Sequence, residues 1–179
     1  MRKDRKSRKR SGGKDANGHG KGIVACFSGG SGDAGDPAYA VMTETRGLSR
    51  QFGAAGFVGV GLDVPEARRR NDSIWCMGHA AGFVFVFVDN DPTPASRLDQ
   101  AFMFIMQCAE PSKRIAMLLV GSLVPEDQLD TMMRQQVIES ARRAADAGLC
   151  QPIPDDRWPR VLFTASLERA VRWVLREAE

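Results

Sequence analysis

The sequence predicts an α/β fold, a three-layer doubly wound sheet of about five parallel strands with helices on both faces. Three observations carry this. Short apolar runs alternate with segments of helical periodicity from Ile23 to the end of the chain, with little slack between them. Phe83–Val88, Phe-Val-Phe-Val-Phe-Val, is apolar on both sides, as a central parallel strand covered by helices must be. Ile23–Pro37 reads as a strand, a glycine turn and a helix start. Such alternation implies right-handed crossovers and an open parallel sheet.

The elements follow in order. Ile23–Phe27 is the first strand, and residues 37–55 form a helix with Ala38, Val41, Met42, Thr45, Leu48 and Phe52 near helical spacing, ended by Gly53 and Gly56. Phe57–Leu62 is a second strand, loosened by Gly59 and Gly61, and Pro65 to His79 a helix rich in Arg68, Arg69 and Arg70. After the central strand, Asp89 to Pro94 is a loop and Ala95 to Ala109 a helix stopped by Glu110-Pro111. Ile115–Val120 is the fourth strand. Pro125 to Ala147 is a long helix with Leu129, Met132, Met133, Val137 and Ala141 inward and Gly148 as its cap. Residues 149–160 hold three prolines and read as a surface connection. Val161–Thr164 is the last strand, and Ser166 caps a helix through Ala178 with Leu167, Ala170, Val171, Val174 and Leu175 facing in.

The 179 residues suit one domain, residues 22–179, behind a tail at 1–21. The net charge of +3 divides unevenly: the tail holds nine of the 25 Lys/Arg against Asp4 and Asp15, leaving sixteen basic and twenty acidic residues in the body. With only Ala16 apolar after Met1, the tail cannot be a signal peptide or an amphipathic presequence and is expected to be disordered. It can meet nucleic acid, an acidic membrane face or an acidic partner, or simply solubilise the chain. No run reaches the eighteen or so apolar residues of a spanning helix. Cys26, Cys76, Cys108 and Cys150 stand far apart beside apolar segments, the pattern of reduced, mostly buried thiols in a cytoplasmic protein. With only His19 and His79 to complete it, a zinc site is not expected. His79 reads as a buried or partner-bonded histidine, and Trp75, Trp158 and Trp173 as packing residues. Met103, Met106, Met117, Met132 and Met133 read as core filling.

The glycine turn is the most informative segment. Cys26-Phe-Ser-Gly-Gly-Ser-Gly-Asp-Ala-Gly-Asp-Pro37 places four glycines between a strand and a helix whose N-cap is Asp36 and whose first residue is Pro37. Glycines let backbone N–H groups approach an anion, and a helix start favours negative charge, so the corner suits a phosphate. The plain alternative is a tight turn with nothing bound. Gly30-Ser-Gly32-Asp-Ala-Gly35 also satisfies G-x-G-x-x-G, with Asp63 as the acid that grips a ribose. A nicotinamide or flavin enzyme is disfavoured, because 28 residues rather than about 20 separate Gly35 from Asp63.

Cys26 through Tyr39, with Arg46-Gly47-Leu48 and Ala55-Gly56-Phe57, resembles the opening of the Lonely-guy (LOG) family, formerly called lysine decarboxylase-like. That family lies within the SLOG group of Rossmann-like nucleotide-binding domains. The order of elements is similar over residues 23–175, with close likeness only over 26–57. The resemblance implies a homodimer that binds a nucleoside monophosphate and cleaves its N-glycosidic bond. It also implies a Pro-Gly-Gly-x-Gly-Thr-x-x-Glu signature after the central strand, where this chain has Asp89-Asn-Asp-Pro-Thr-Pro-Ala-Ser-Arg-Leu-Asp99, without a glycine. A strand–helix pair of the family is also missing, replaced by residues 63–80.

The expectation is therefore a nucleotide-binding protein without efficient phosphoribohydrolase activity and with no cofactor. Ser28, Gly29, Gly30, Ser31, Gly32 and Gly35 would hold phosphate, and Asp63, Asn90 and Thr93 would line the site. One alternative is an active phosphoribohydrolase with Asp99 as acid/base and Arg70 holding phosphate. Another is a scaffold that docks to nucleic acid or an acidic partner through residues 2–21.

Overall fold

The computed structural model describes residues 21–29, 35–62, 65–88 and 95–176. Five strands, β1 (Lys21–Ser28), β2 (Ala54–Gly61), β3 (Ala80–Val88), β4 (Arg114–Val120) and β5 (Val161–Thr164), alternate with five helices. The helices are α1 (Pro37–Gln51), α2 (Glu66–His79), α3 (Ala95–Cys108), α4 (Glu126–Asp146) and α5 (Leu167–Leu175). All strand pairs are parallel, in the order β2-β1-β3-β4-β5. The doubly wound, Rossmann-like α/β architecture expected from the alternation is the one observed.

Successive side chains of a strand point to opposite faces, so the sheet carries two cores. Ala25, Phe27, Phe83, Phe85, Ile115, Met117 and Phe163 pack under α2, α3 and α4. Val24, Cys26, Val84, Val86, Ala116 and Leu118 pack under α1 and α5. The first core is bound together by aromatic rings. Phe27 stacks on Phe85 at 4.9 Å, and Phe85 meets the edge of Phe102 at 5.7 Å.

Several boundaries and burials differ from the sequence reading. Helix α1 ends at Gln51, because Gly53 takes a positive φ of 79°, and Gly56 lies inside β2 opposite Ile23. The connection at 149–160 is not all surface. Asp155–Arg160 forms a 3₁₀ turn that buries Trp158 and Arg160, with Trp158 packed 6.4 Å from Phe102. Met132 stays 42% exposed, off the inward stripe of α4. Trp75 is also exposed, stacked on His79 at 4.4 Å, and the His79 Nδ1 pairs with the Trp75 carbonyl at 2.8 Å. His79 is thus partner-bonded, but on the surface.

The outer edge of β5 is covered by side chains of α4. Asp130 accepts from the Phe163 N–H at 2.9 Å, and Arg134 donates to the Val161 carbonyl at 2.6 Å. One turn earlier, Glu126 accepts from the Ala165 N–H at 2.7 Å and from the Thr164 hydroxyl. Burial pushes the Glu126 carboxyl up, but Thr164, Ala165 and Arg169 together hold it below its ordinary value. This stripe occupies backbone groups that an edge strand otherwise offers to other chains.

The cysteines divide into two classes. Cys26 and Cys76 are buried, Cys150 is half-buried and Cys108 is exposed at the end of α3. Burial raises the Cys26 thiol to about 12, opposed by a hydrogen bond with Thr45. Cys76 rises to about 11, mainly through burial and then through Asp72. The thiolate is the reactive form, so an aromatic disulfide reagent at about pH 8 is expected to label Cys108 first and Cys26 and Cys76 only on unfolding. Peptide mass mapping against time checks that order.

Candidate nucleotide site

From β1 the chain crosses through α1 to β2 on one side, and later places β3 on β1's other side. In open parallel sheets such a reversal is where ligands bind, beyond the carboxyl ends of the flanking strands, here β1 and β3. Ser28 ends β1 at this reversal, buried between Gly61 of β2 and Val86 of β3. Alternation from Cys26 puts its side chain on the face that α1 covers. Gly29 is buried as well.

The start of α1 is built as the sequence indicates. Asp36 accepts from the Ala38 N–H through its side chain at 2.8 Å, and its carbonyl accepts from Tyr39 at 3.0 Å. Pro37 has no N–H, so the first-turn donors of α1 are committed within the helix itself. An anion at this corner must therefore be held by amides of the preceding loop. A Cβ at Gly35 would meet nothing within 4 Å among the described residues, so their packing does not demand glycine there.

Of the residues expected to contact the ligand, Ser28, Gly29 and Gly35 stand at this corner. Gly30, Ser31, Gly32, Asp63, Asn90 and Thr93 lie outside the described residues, as does the tail at 1–20. The elements that precede them end side by side: the Leu62 N–H donates to the Ser28 carbonyl at 2.9 Å, continuing the β1–β2 pairing one residue before Asp63.

Arg70 and Asp99 belong to a different surface. They lie on α2 and α3, which pack on the sheet face opposite α1. Arg70 is exposed and lines a cleft of about 230 Å³ with Arg69, Ser73, Gln100, Ala101 and Phe104. Asp99 is exposed and does not line that cleft, yet crowding of its carboxyl by protein raises its pKa. The sequence reading singled out the arginines of α2 but not the cleft. It also missed Leu123, which is 99% exposed on the loop after β4 between the positive-φ Gly121 and Pro125. A leucine in a loop beyond the carboxyl end of β4 was the available signal.

Among the described residues no cluster of three His, Cys, Asp or Glu side chains is arranged to hold a metal ion, and no helix is long and apolar enough to cross a membrane. No protein-family model matches the sequence, and no curated protein does. Among solved structures the fold is similar to the flavodiiron protein from Giardia intestinalis, with a TM-score of 0.40 and 10% identity. That match covers 87% of this chain and 35% of the other, so the chain spans about a third of that protein's length.

Proposed function

We propose that this chain binds a nucleotide through its phosphate at the loop between β1 and α1, without efficient cleavage of the N-glycosidic bond. One observation carries the reading: the reversal of strand order falls at the carboxyl end of β1, where four glycines lead into α1. In this reading the contact falls to the amides of residues 29–36, with the Ser28 and Ser31 hydroxyls as further donors, since the first-turn N–H groups of α1 already have acceptors. Weak hydrolysis is inferred from residues 89–99, which lack the glycines of a phosphate-holding signature, place Asp89 and Asp91 where phosphate would approach, and carry Asp99 rather than the signature's Glu.

A flavin mononucleotide is the second reading. It rests on strand order, since a 2-1-3-4-5 sheet holds that cofactor at the same reversal in flavodoxin-type proteins. Leu123, exposed on the loop after β4, would be available as an apolar cover for a ring.

The test is a thermal-shift and titration panel of the common nucleoside monophosphates and flavin mononucleotide. A saturable shift with one of them, lost in Gly32→Val and kept on deletion of residues 1–21, is the expected result. Free base released from a monophosphate, and lost in Asp99→Ala, would instead show the active hydrolase. If no member of the panel shifts the wild type, the nucleotide reading fails.

A further inference from the structure

Three consecutive arginines stand in α2, with Arg68 in its first turn, where positive charge is least favoured, and Arg69 and Arg70 directly behind it. The peptide dipoles give a helix N-terminus roughly half a positive charge, which disfavours cations in the first turn. Arg68, Arg69 and Arg70 nonetheless follow closely on Glu66, and the N-cap position is Pro65, which offers no side-chain acceptor. Arg68 has a loose surface pairing with Asp72 at 3.9 Å, worth little in water. Arg69 and Arg70 have no ion pair with any described residue, and both line the cleft between α2 and α3. Arg69 is half-buried there, so its charge is partly withdrawn from water without a counter-charge among the described residues.

The rest of the cleft is of a different chemistry. Ala101 and the half-buried ring of Phe104 supply apolar surface, and the Gln100 amide stands at the rim. Ser73 already donates its hydroxyl to the Arg69 carbonyl at 2.9 Å, which leaves the guanidiniums as the free donors. At about 230 Å³ the cavity is smaller than a site for a drug-sized ligand and admits one ring with one anionic group.

We propose that the α2–α3 cleft is a second binding site, for a small aromatic anion. Its phosphate or carboxylate pairs with Arg69 and Arg70, and its ring lies on Phe104 and Ala101. Two neighbouring guanidiniums are suited to bidentate pairing with an oxyanion. The anion also neutralises the charge stacked against the α2 dipole. The site lies on the sheet face opposite α1, so it does not depend on the nucleotide reading.

The full-length chain titrated with phenyl phosphate, and followed by nuclear magnetic resonance shifts of α2 and α3 amides, is expected to show saturable binding. Inorganic phosphate is expected to bind at least about tenfold more weakly, for want of the ring. Arg69→Gln/Arg70→Gln weakens phenyl phosphate by about tenfold or more, the scale of lost charge-assisted hydrogen bonds. Arg70→Gln alone, at an exposed position, gives part of that loss with the fold intact. Phe104→Leu reduces the preference for phenyl phosphate over inorganic phosphate. Gly32→Val leaves all of this unchanged, which separates this site from the loop after β1. Absence of saturable binding, equal affinity for the two phosphates, or undiminished binding in the double variant overturns the proposal.

Discussion

Arg160→Met is expected to lower the free energy of unfolding by about 3 kcal/mol, a large part of a small domain's margin. Arg160 is 7% exposed, and its guanidinium is spent on the end of α3. It donates to the Met106 carbonyl at 2.8 Å and the Glu110 carbonyl at 2.7 Å, with longer contacts to Ile105 and Ala109. The last carbonyls of a helix have no partner inside it, and here a cation at the negative end of the dipole supplies one. Burial lowers the Arg160 pKa to about 10, with Arg157 adding to the effect and Asp156 opposing it, so the side chain remains charged at neutral pH. Methionine keeps much of the stem's volume but strands these carbonyls. Arg157, which donates to Ala109 at 2.6 Å from a half-buried position, is expected to cost less on the same substitution. Urea midpoints for the two variants check the order. Equal midpoints would mean that Arg160 merely fills space.

That arginine also marks where the sequence stopped being legible. Hydrophobic patterning is a local signal, and it located the five strands and five α-helices but not the 3₁₀ turn at Asp155–Arg160. The start of α1 was readable for the same reason, Asp36 and Pro37 acting on neighbours one or two residues away. Arg160 acts across some fifty residues of chain, and its partners are carbonyls, which carry no signature in the sequence. The same limit hid the covering of β5, where the roles of Glu126, Asp130 and Arg134 appear only once α4 lies along that strand. The four glycines announced a corner after β1, and the strand order adds that the reversal of the sheet falls beside that strand. The α2–α3 cleft needed both helices in position before Arg69 and Arg70 became part of the wall of a cavity.

The glycines of the sheet make the point in energy. Gly82 of β3 and Gly59 of β2 look alike in sequence, yet opposite tolerance is expected. A Cβ at Gly82 would lie 2.8 Å from the Val174 Cβ, 2.9 Å from the Arg114 carbonyl oxygen and 3.0 Å from that of Val174. Two of the three obstacles are backbone, held by the β3–β4 ladder and by α5, so neither can withdraw cheaply. Gly82→Ala is expected to destabilise by about 3 kcal/mol, at the upper end of overpacking costs. At Gly59 the obstacle to an added Cβ is the thioether of Met42, and a flexible side chain can turn aside. Gly59→Ala should therefore cost under about 1 kcal/mol. A second substitution tests the cause. Val174→Ala keeps the Cβ and the carbonyl that the added methyl group of Gly82→Ala would strike, so combining the two should restore nothing. Recovery of stability in that double variant would place the clash on the valine methyl groups, and α5 would then approach β3 less closely than its backbone indicates.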